Sequence, residues 1–323
     1  MRSTRRGSVA WVALGIVAVA STVPAVAEPS ATTAVSHTFR PFAADDPFNS
    51  VISASAAIDP NSRAMMDAIA SDGAHAGLVD FGIPISTATA STPRYLISCT
   101  GSASWGPCPL AGASVPIPDD ARVQPGSDAA MVVIDPAGDK VYEFWRAHKN
   151  ANSWATVWGS VSTLSGSAWM SSATAAGASR LAGVIRLSEV QAGVIPHALA
   201  IQSSNTCARV WREPATKTDG ASERPDCIPE GTRLQLDPTL DIPAMKTPSP
   251  AERAVAVALQ TYGAYVIDTG GAKLSVSFEL APDATEGSPG SLYTSMGMNW
   301  DYTLLDKIPW DHLRALTTWN GTA

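Results

Sequence analysis

The chain has 323 residues and a formal net charge of −7, with 22 lysines and arginines against 29 aspartates and glutamates. No lysine or arginine cluster accompanies that balance, which argues against nucleic acid as a partner and, more weakly, against a polyanionic polysaccharide, because neutralising either needs a basic patch. Beyond the first 27 residues no stretch is apolar over the roughly 20 residues that a bilayer crossing needs, so no membrane span is expected there.

The chain opens MRSTRRGSVAWVALGIVAVASTVPAVA, with three arginines before an apolar run from about Val9 to Ala20 and the small-residue triplet Ala25-Val26-Ala27 at the end. Residues 1–27 read as a signal peptide, since the run is too short to anchor the chain in a membrane. Arg5-Arg6 leaves twin-arginine export open beside ordinary secretion. Cleavage removes three arginines and no acid, which carries the net charge to −10, and the expected location is extracellular. Residues 28–38, EPSATTAVSHT, are small and polar without periodicity and read as a disordered lead-in. One β-rich domain is expected over residues 39–323.

Asn61 or Ser62 caps an expected short helix in which Met65, Met66 and Ile69 recur at helical spacing. From Tyr95 onward the pattern turns to period two and short apolar runs: YLISC, AMVVID, KVYEFW, WATVW, HALAIQ, ARVW, RLQL, YVID and KLSVSFEL. Asp135-Pro136-Ala137-Gly138-Asp139 joins two of them as a hairpin loop. Eight or nine strands predict a mainly β chain, a β-sandwich or jelly-roll-like domain with a few short helices. Four cysteines allow three connectivities, of which proximity points to Cys99 with Cys108 and Cys207 with Cys227, and disulfides suit an exported protein. Zinc is the rival reading, but neither pair has CxxC spacing and no histidine lies near them, so neither a metal site nor a cofactor is expected.

Ser188 is expected to cap a single helical turn over Glu189, Val190 and Gln191 that stops at Gly193, after which Pro196 bars helix and His197 begins a strand. A second helix begins at Ser249-Pro250-Ala251-Glu252, a capping box with proline at the first helical position, and stops at Gly263. Trp310, Leu313 and Leu316 stand at helical spacing in the closing segment.

Polar residues in these apolar runs are the candidates for chemistry. His197, at a strand entrance beside a loop, suits a general base or acid oriented by Glu189 or Glu143; equally, it hydrogen-bonds loop backbone and fixes the turn. Arg186 either binds a substrate carboxylate or pairs internally with Glu189. If Tyr142 and Phe144 face the core, alternation turns Glu143 and Trp145 outward together, an acid beside a stacking platform for a sugar. Glycoside hydrolysis needs two carboxylates, for which Asp135, Glu143 and Glu189 are candidates. Elimination from a uronic acid needs instead a base such as His197 or Tyr142 and a cation such as Arg186. Trp154 and Trp158, four apart, are expected on one face of a strand, where they either stack on sugars or pack the core. No GxSxG elbow, HExxH helix, phosphate-binding glycine loop or EF-hand loop is present, although scattered carboxylates can still hold calcium.

The segments PFAADDPFNSVISASAAIDPNS, VVIDPAGDKVYEFWRA, SRLAGVIRLSEVQAGVIPHALAI, EGTRLQLDP and ALQTYGAYVIDTGG occur in that order. Together, over roughly residues 41 to 280, the chain resembles a family of secreted, β-rich, mostly bacterial proteins whose reactions are largely uncharacterised. The resemblance implies export, one domain, and a setting among polysaccharide-degrading and cell-surface proteins. It departs from the family's pattern where relatives carry histidines, at Ala129-Ala130 and in Trp211-Arg212-Glu213-Pro214-Ala215-Thr216-Lys217. The expectation is therefore a secreted protein that cleaves an extracellular polysaccharide or cell-wall glycan, by hydrolysis ahead of elimination. His197, Glu189, Glu143 and Asp135 would be catalytic, with Arg186, Trp145, Trp211 and Tyr142 on the substrate. A non-catalytic glycan-binding or cell-surface module, or a structural envelope protein, is the alternative.

Overall fold

A computed structural model describes, besides Met1, residues 40–101, 106–171, 173–245 and 248–317. The expected signal peptide and lead-in lie outside the described residues. By its contacts the chain divides into residues 1–38 and 39–323, and every strand and helix among the described residues lies in the second unit.

The chain is mainly β, built as stacked sheets. The largest runs, in spatial order, His75–Gly77, Ser275–Ser277, Leu199–Ser203, Ala264–Thr269, Arg233–Leu236 and Leu313–Ala315. A second sheet orders Ile85–Thr87, Met131–Asp135, Lys140–Trp145 and Trp158–Thr163, and a third orders Ser114–Pro116, Arg94–Cys99, Trp154–Thr156 and His148–Lys149. Thr206–Trp211 pairs with Ile228–Glu230 beside them. Leu199–Ser203 and Ala264–Thr269 run parallel, so a long crossover must join them, and the helix Pro250–Thr261 forms part of it.

Three apolar layers explain why the strands read as nearly continuous hydrophobic runs. On one face of the large sheet, Leu199, Leu234, Val266 and Val276 meet Met65, Met66 and Ile69 of the helix Ser62–Ile69 and Val255 and Leu259 of Pro250–Thr261. On its other face, Ala198, Ala200, Tyr265 and Ile267 pack against Val132, Ile134 and Val141 of the second sheet. Met131, Val133, Tyr142 and Phe144 point the opposite way, toward Ile97, Val115 and Trp154 of the third. Strands covered on both faces bury every side chain, as Met131–Asp135 does.

The expected capping box forms: Ser249 Oγ accepts from the Glu252 amide at 3.1 Å, and a Glu252 carboxylate oxygen accepts from the Ser249 amide at 2.9 Å. Both expected disulfides form, Cys99–Cys108 and Cys207–Cys227, as suits an oxidising compartment. No helix among the described residues is long and apolar enough to cross a membrane.

Three local expectations are corrected. The closing segment is a short 3-10 turn, Trp310–His312, followed by the strand Leu313–Ala315, because the open edge of Arg233–Leu236 offers it a ladder of hydrogen bonds. The turn before His197 is a helix over Leu187–Ala192 whose cap position is Arg186 rather than Ser188. A bend at Val157 separates Trp154 from Trp158, so the two lie in different strands, with Trp154 in the core.

Gly263 ends the helix Pro250–Thr261 at φ +75°, where an added Cβ would stand 2.3 Å from the Leu234 carbonyl oxygen. Replacing it with alanine combines a left-handed backbone with overpacking, and we expect Gly263→Ala to cost about 2–4 kcal/mol. Urea unfolding of the two proteins checks this.

Candidate functional site

Glu189 and His197 do meet. His197 Nε2 lies 3.1 Å from the Glu189 carboxylate and Nδ1 lies 2.8 Å from the Ala198 carbonyl oxygen. The same carboxylate accepts from the Arg186 amide at 2.8 Å and so closes the first turn of Leu187–Ala192. The Arg186 guanidinium turns away to Glu279, at 2.8 Å, rather than pairing with Glu189. Both members of the Glu189–His197 pair are buried, and the void beside them, about 20 Å³, is about the size of one water. This stretch ties a polar corner between two elements and leaves no room for a sugar ring.

The other expected site residues are dispersed. Glu143 does not face outward: it shares a strand face with Val141 and is fully buried, because the second sheet is covered on both sides. Ser179 Oγ donates to it at 2.5 Å, the Leu181 amide at 3.0 Å and Ser171 Oγ at 3.1 Å. Burial raises its pKa above the usual carboxylate range against the pull of these donors. Asp135 caps the hairpin by accepting from the Gly138 amide at 3.0 Å, with Arg94 at 3.8 Å. Tyr142 is buried in the core between the second and third sheets, which removes it as a substrate contact. Trp211 is 46 % exposed at the end of its strand, and the cavity described next does not include it. Trp145 is half-buried and donates from Nε1 to Asp128 at 3.0 Å.

That bond leads to a cavity of about 520 Å³ where the ends of several strands meet. Asp128 comes from the loop before Met131–Asp135, Arg180 from the chain before the Arg186 corner, and Asp268 from the end of Ala264–Thr269. Arg180 stands between the two acids: one terminal nitrogen is 3.9 Å from Asp128 and the other 4.0 Å from Asp268. It is anchored by a 3.0 Å bond to the Ala173 carbonyl. Burial pushes the Asp268 carboxyl up to about 7, with Arg180 opposing and Asp219 and Asp128 reinforcing the rise.

Amides and hydroxyls fill the remaining wall. Gln202 donates to Ser277 at 2.8 Å and accepts from Ser275 at 3.1 Å, while Gln124 is held by the Gly82 carbonyl at 3.2 Å. Tyr302 donates to Asp80 at 2.9 Å, and burial with that bond raises its hydroxyl's pKa. His75 Nδ1 sits 3.1 Å from the Tyr302 carbonyl, and Phe81, 42 % exposed, adds an aromatic face.

Arg180 lies in SRLAGVIRL and Asp268 in YVIDTGG. The signal was a lone charge in an apolar run, with Asp268 placed just before a Thr-Gly-Gly turn. Asp128 gave no such signal, and nothing in spacing joins positions this far apart. Comparison of the chain with protein-family models, curated proteins and solved structures finds no match.

The buried Glu143 has a measurable signature. Its folded-state pKa is raised, so the folded chain keeps the proton to higher pH than the unfolded chain, and stability falls as pH rises above the ordinary carboxylate range. Glu143→Gln is expected to flatten that fall between mildly acidic and alkaline pH. Glu143→Ala strands three donors and should cost about 3 kcal/mol or more at mildly acidic pH, a difference that shrinks as pH rises. Urea midpoints across a pH series separate the two variants.

Proposed function

We propose that the protein is secreted, binds an extracellular polysaccharide in the 520 Å³ cavity and hydrolyses it, with Asp128 and Asp268 as the carboxylates that flank the scissile bond. The observation that carries this reading is the placement of those two acids on opposite arms of Arg180 in one concave wall. Hydrolysis of a glycosidic bond uses such a pair, one carboxyl protonating the leaving oxygen and the other acting as base or nucleophile. Arg180 sets the charge beside both, and the Trp145 indole holds Asp128. A cavity of this volume falls in the range of small-ligand sites, and its lining of amides, hydroxyls and one aromatic face suits sugar hydroxyls and a sugar's apolar side.

A neutral glycan is favoured over a uronic acid, and hydrolysis over elimination, because Arg180 already faces two carboxylates and has no spare charge for a substrate carboxylate. The leader, the two disulfides and the family resemblance support the extracellular setting.

The test incubates mature protein with a panel of neutral and acidic polysaccharides and follows reducing ends together with the ultraviolet absorbance of unsaturated products. The expected result is reducing ends without that absorbance. Asp128→Asn and Asp268→Asn should each lower the rate by roughly 10²–10⁴-fold, while Trp211→Ala leaves it unchanged. Binding of a glycan without cleavage would establish the alternative of a glycan-binding module; unsaturated products would establish a lyase.

A further inference from the structure

Asp268 faces the cavity on one side, and on the other it meets two further acids. One carboxylate oxygen each from Asp219, Glu230 and Asp268 lies within 4.8 Å of the other two. A hard cation holds oxygen ligands at about 2.3–2.6 Å, so two ligands on opposite sides of it stand about 5 Å apart. The three acids therefore fit one coordination sphere.

Glu230 supplies the second, independent observation. It ends the strand Ile228–Glu230 and is fully buried, and neither of its carboxylate oxygens has a hydrogen bond of good geometry; the Thr218 hydroxyl and the Asp219 carboxyl are the groups that act on it from close by. Buried carboxylates elsewhere in the molecule are served, as Glu143 is by three donors. A buried acid aimed at two others, without one well-formed hydrogen bond to either of its oxygens, is out of keeping with an interior where polar groups find partners, unless a ligand completes the set.

The surroundings hold the acids in place. Thr269 Oγ1 donates to Asp219 at 2.6 Å and is itself bridged to Thr206 Oγ1 at 2.6 Å. The backbone at Glu230 is pinned from both sides: its carbonyl accepts from the Arg212 amide at 2.8 Å, and Gly231 follows at φ +84° with the Arg212 carbonyl where a Cβ would go.

We propose that Asp219, Glu230 and Asp268 bind a divalent cation of the hard, oxygen-preferring class, calcium in particular, with water completing its shell. The donor set contains neither sulfur nor imidazole, which disfavours zinc and copper. Three carboxylates in irregular array suit calcium better than magnesium, which demands near-octahedral geometry and keeps more of its water. The ion would join the pair Thr206–Trp211 and Ile228–Glu230 to the end of Ala264–Thr269 at the cavity edge. The inference goes beyond the glycan reading and is tested without any glycan.

The full mature chain, freed of metal by a chelator, is unfolded by heat with and without calcium ions, and terbium serves as a luminescent calcium substitute. Calcium at about 100 times its Kd should raise Tm by roughly 5 °C, and terbium luminescence should appear and be displaced by calcium. Glu230→Gln and Asp219→Asn should abolish both responses. If Glu230→Gln fails to fold, Asp219→Asn, altered at the exposed member, carries the test. Absence of both responses in the unaltered protein would overturn the proposal, as would their survival in Asp219→Asn. A magnesium response equal to that of calcium would overturn the calcium assignment.

Discussion

Burial of the strand Ala264–Thr269 on both faces is the constraint to which the rest of the molecule answers. Ala264 and Val266 point into the layer under the helices, while Tyr265 and Ile267 point into the layer shared with the second sheet. Tyr265 is the pivot of the second layer. Its ring packs against Phe48 and Trp169 at centroid separations of 5.0 and 5.3 Å, and the Arg233 guanidinium stands 5.1 Å from it. A strand with no solvent face has no freedom to slip, since a shift of one residue would exchange its two sets of side chains. Asp268 comes after the last of these buried positions, so the core that fixes the strand also fixes the acid.

Polar groups carried into this interior do positional work. Arg233 is almost wholly buried, yet its guanidinium bonds to the Tyr262 and Ser50 carbonyls, and burial lowers its pKa to about 10. Glu143 gathers the segment around Ser171, Ser179 and Leu181, and the residue after Ser179 in that tethered loop is Arg180. The Glu189–His197 pair fastens the corner that follows. Two features singled out by their chemistry thus act as struts for the chain on which the cavity's central cation is mounted. The cavity itself lies where strands end, because only there do loops approach one another without filling the space between them.

Much of the architecture was legible in residue order. All nine apolar runs contain strands, the capping box at Ser249 starts its helix, and cysteines near in sequence are bonded in space. Where reading failed, a local rule met a longer-range competitor. Trp310, Leu313 and Leu316 have helical spacing, but a vacant sheet edge took the segment as a strand. Period two correctly placed Glu143 opposite Tyr142 and Phe144, but a second sheet covers the face that would otherwise be exposed. Parallel pairing of Leu199–Ser203 with Ala264–Thr269 leaves no mark in alternation, because both strands are buried on both faces.

The sequence by itself determined that the nine apolar runs extend and that a helix starts at Ser249, and it pointed to the cysteine pairs that form, since each of these depends on residues close together in the chain. Tertiary structure alone decided which charges share a site. Asp128, Arg180 and Asp268 meet because three stacked layers bring their loops to one end of the sheets. His197 and Glu189, eight residues apart, meet in a corner too tight for a ligand. Local pattern records what a residue needs from its neighbours in the chain; the space left over between packed layers, which makes a site, has no local record.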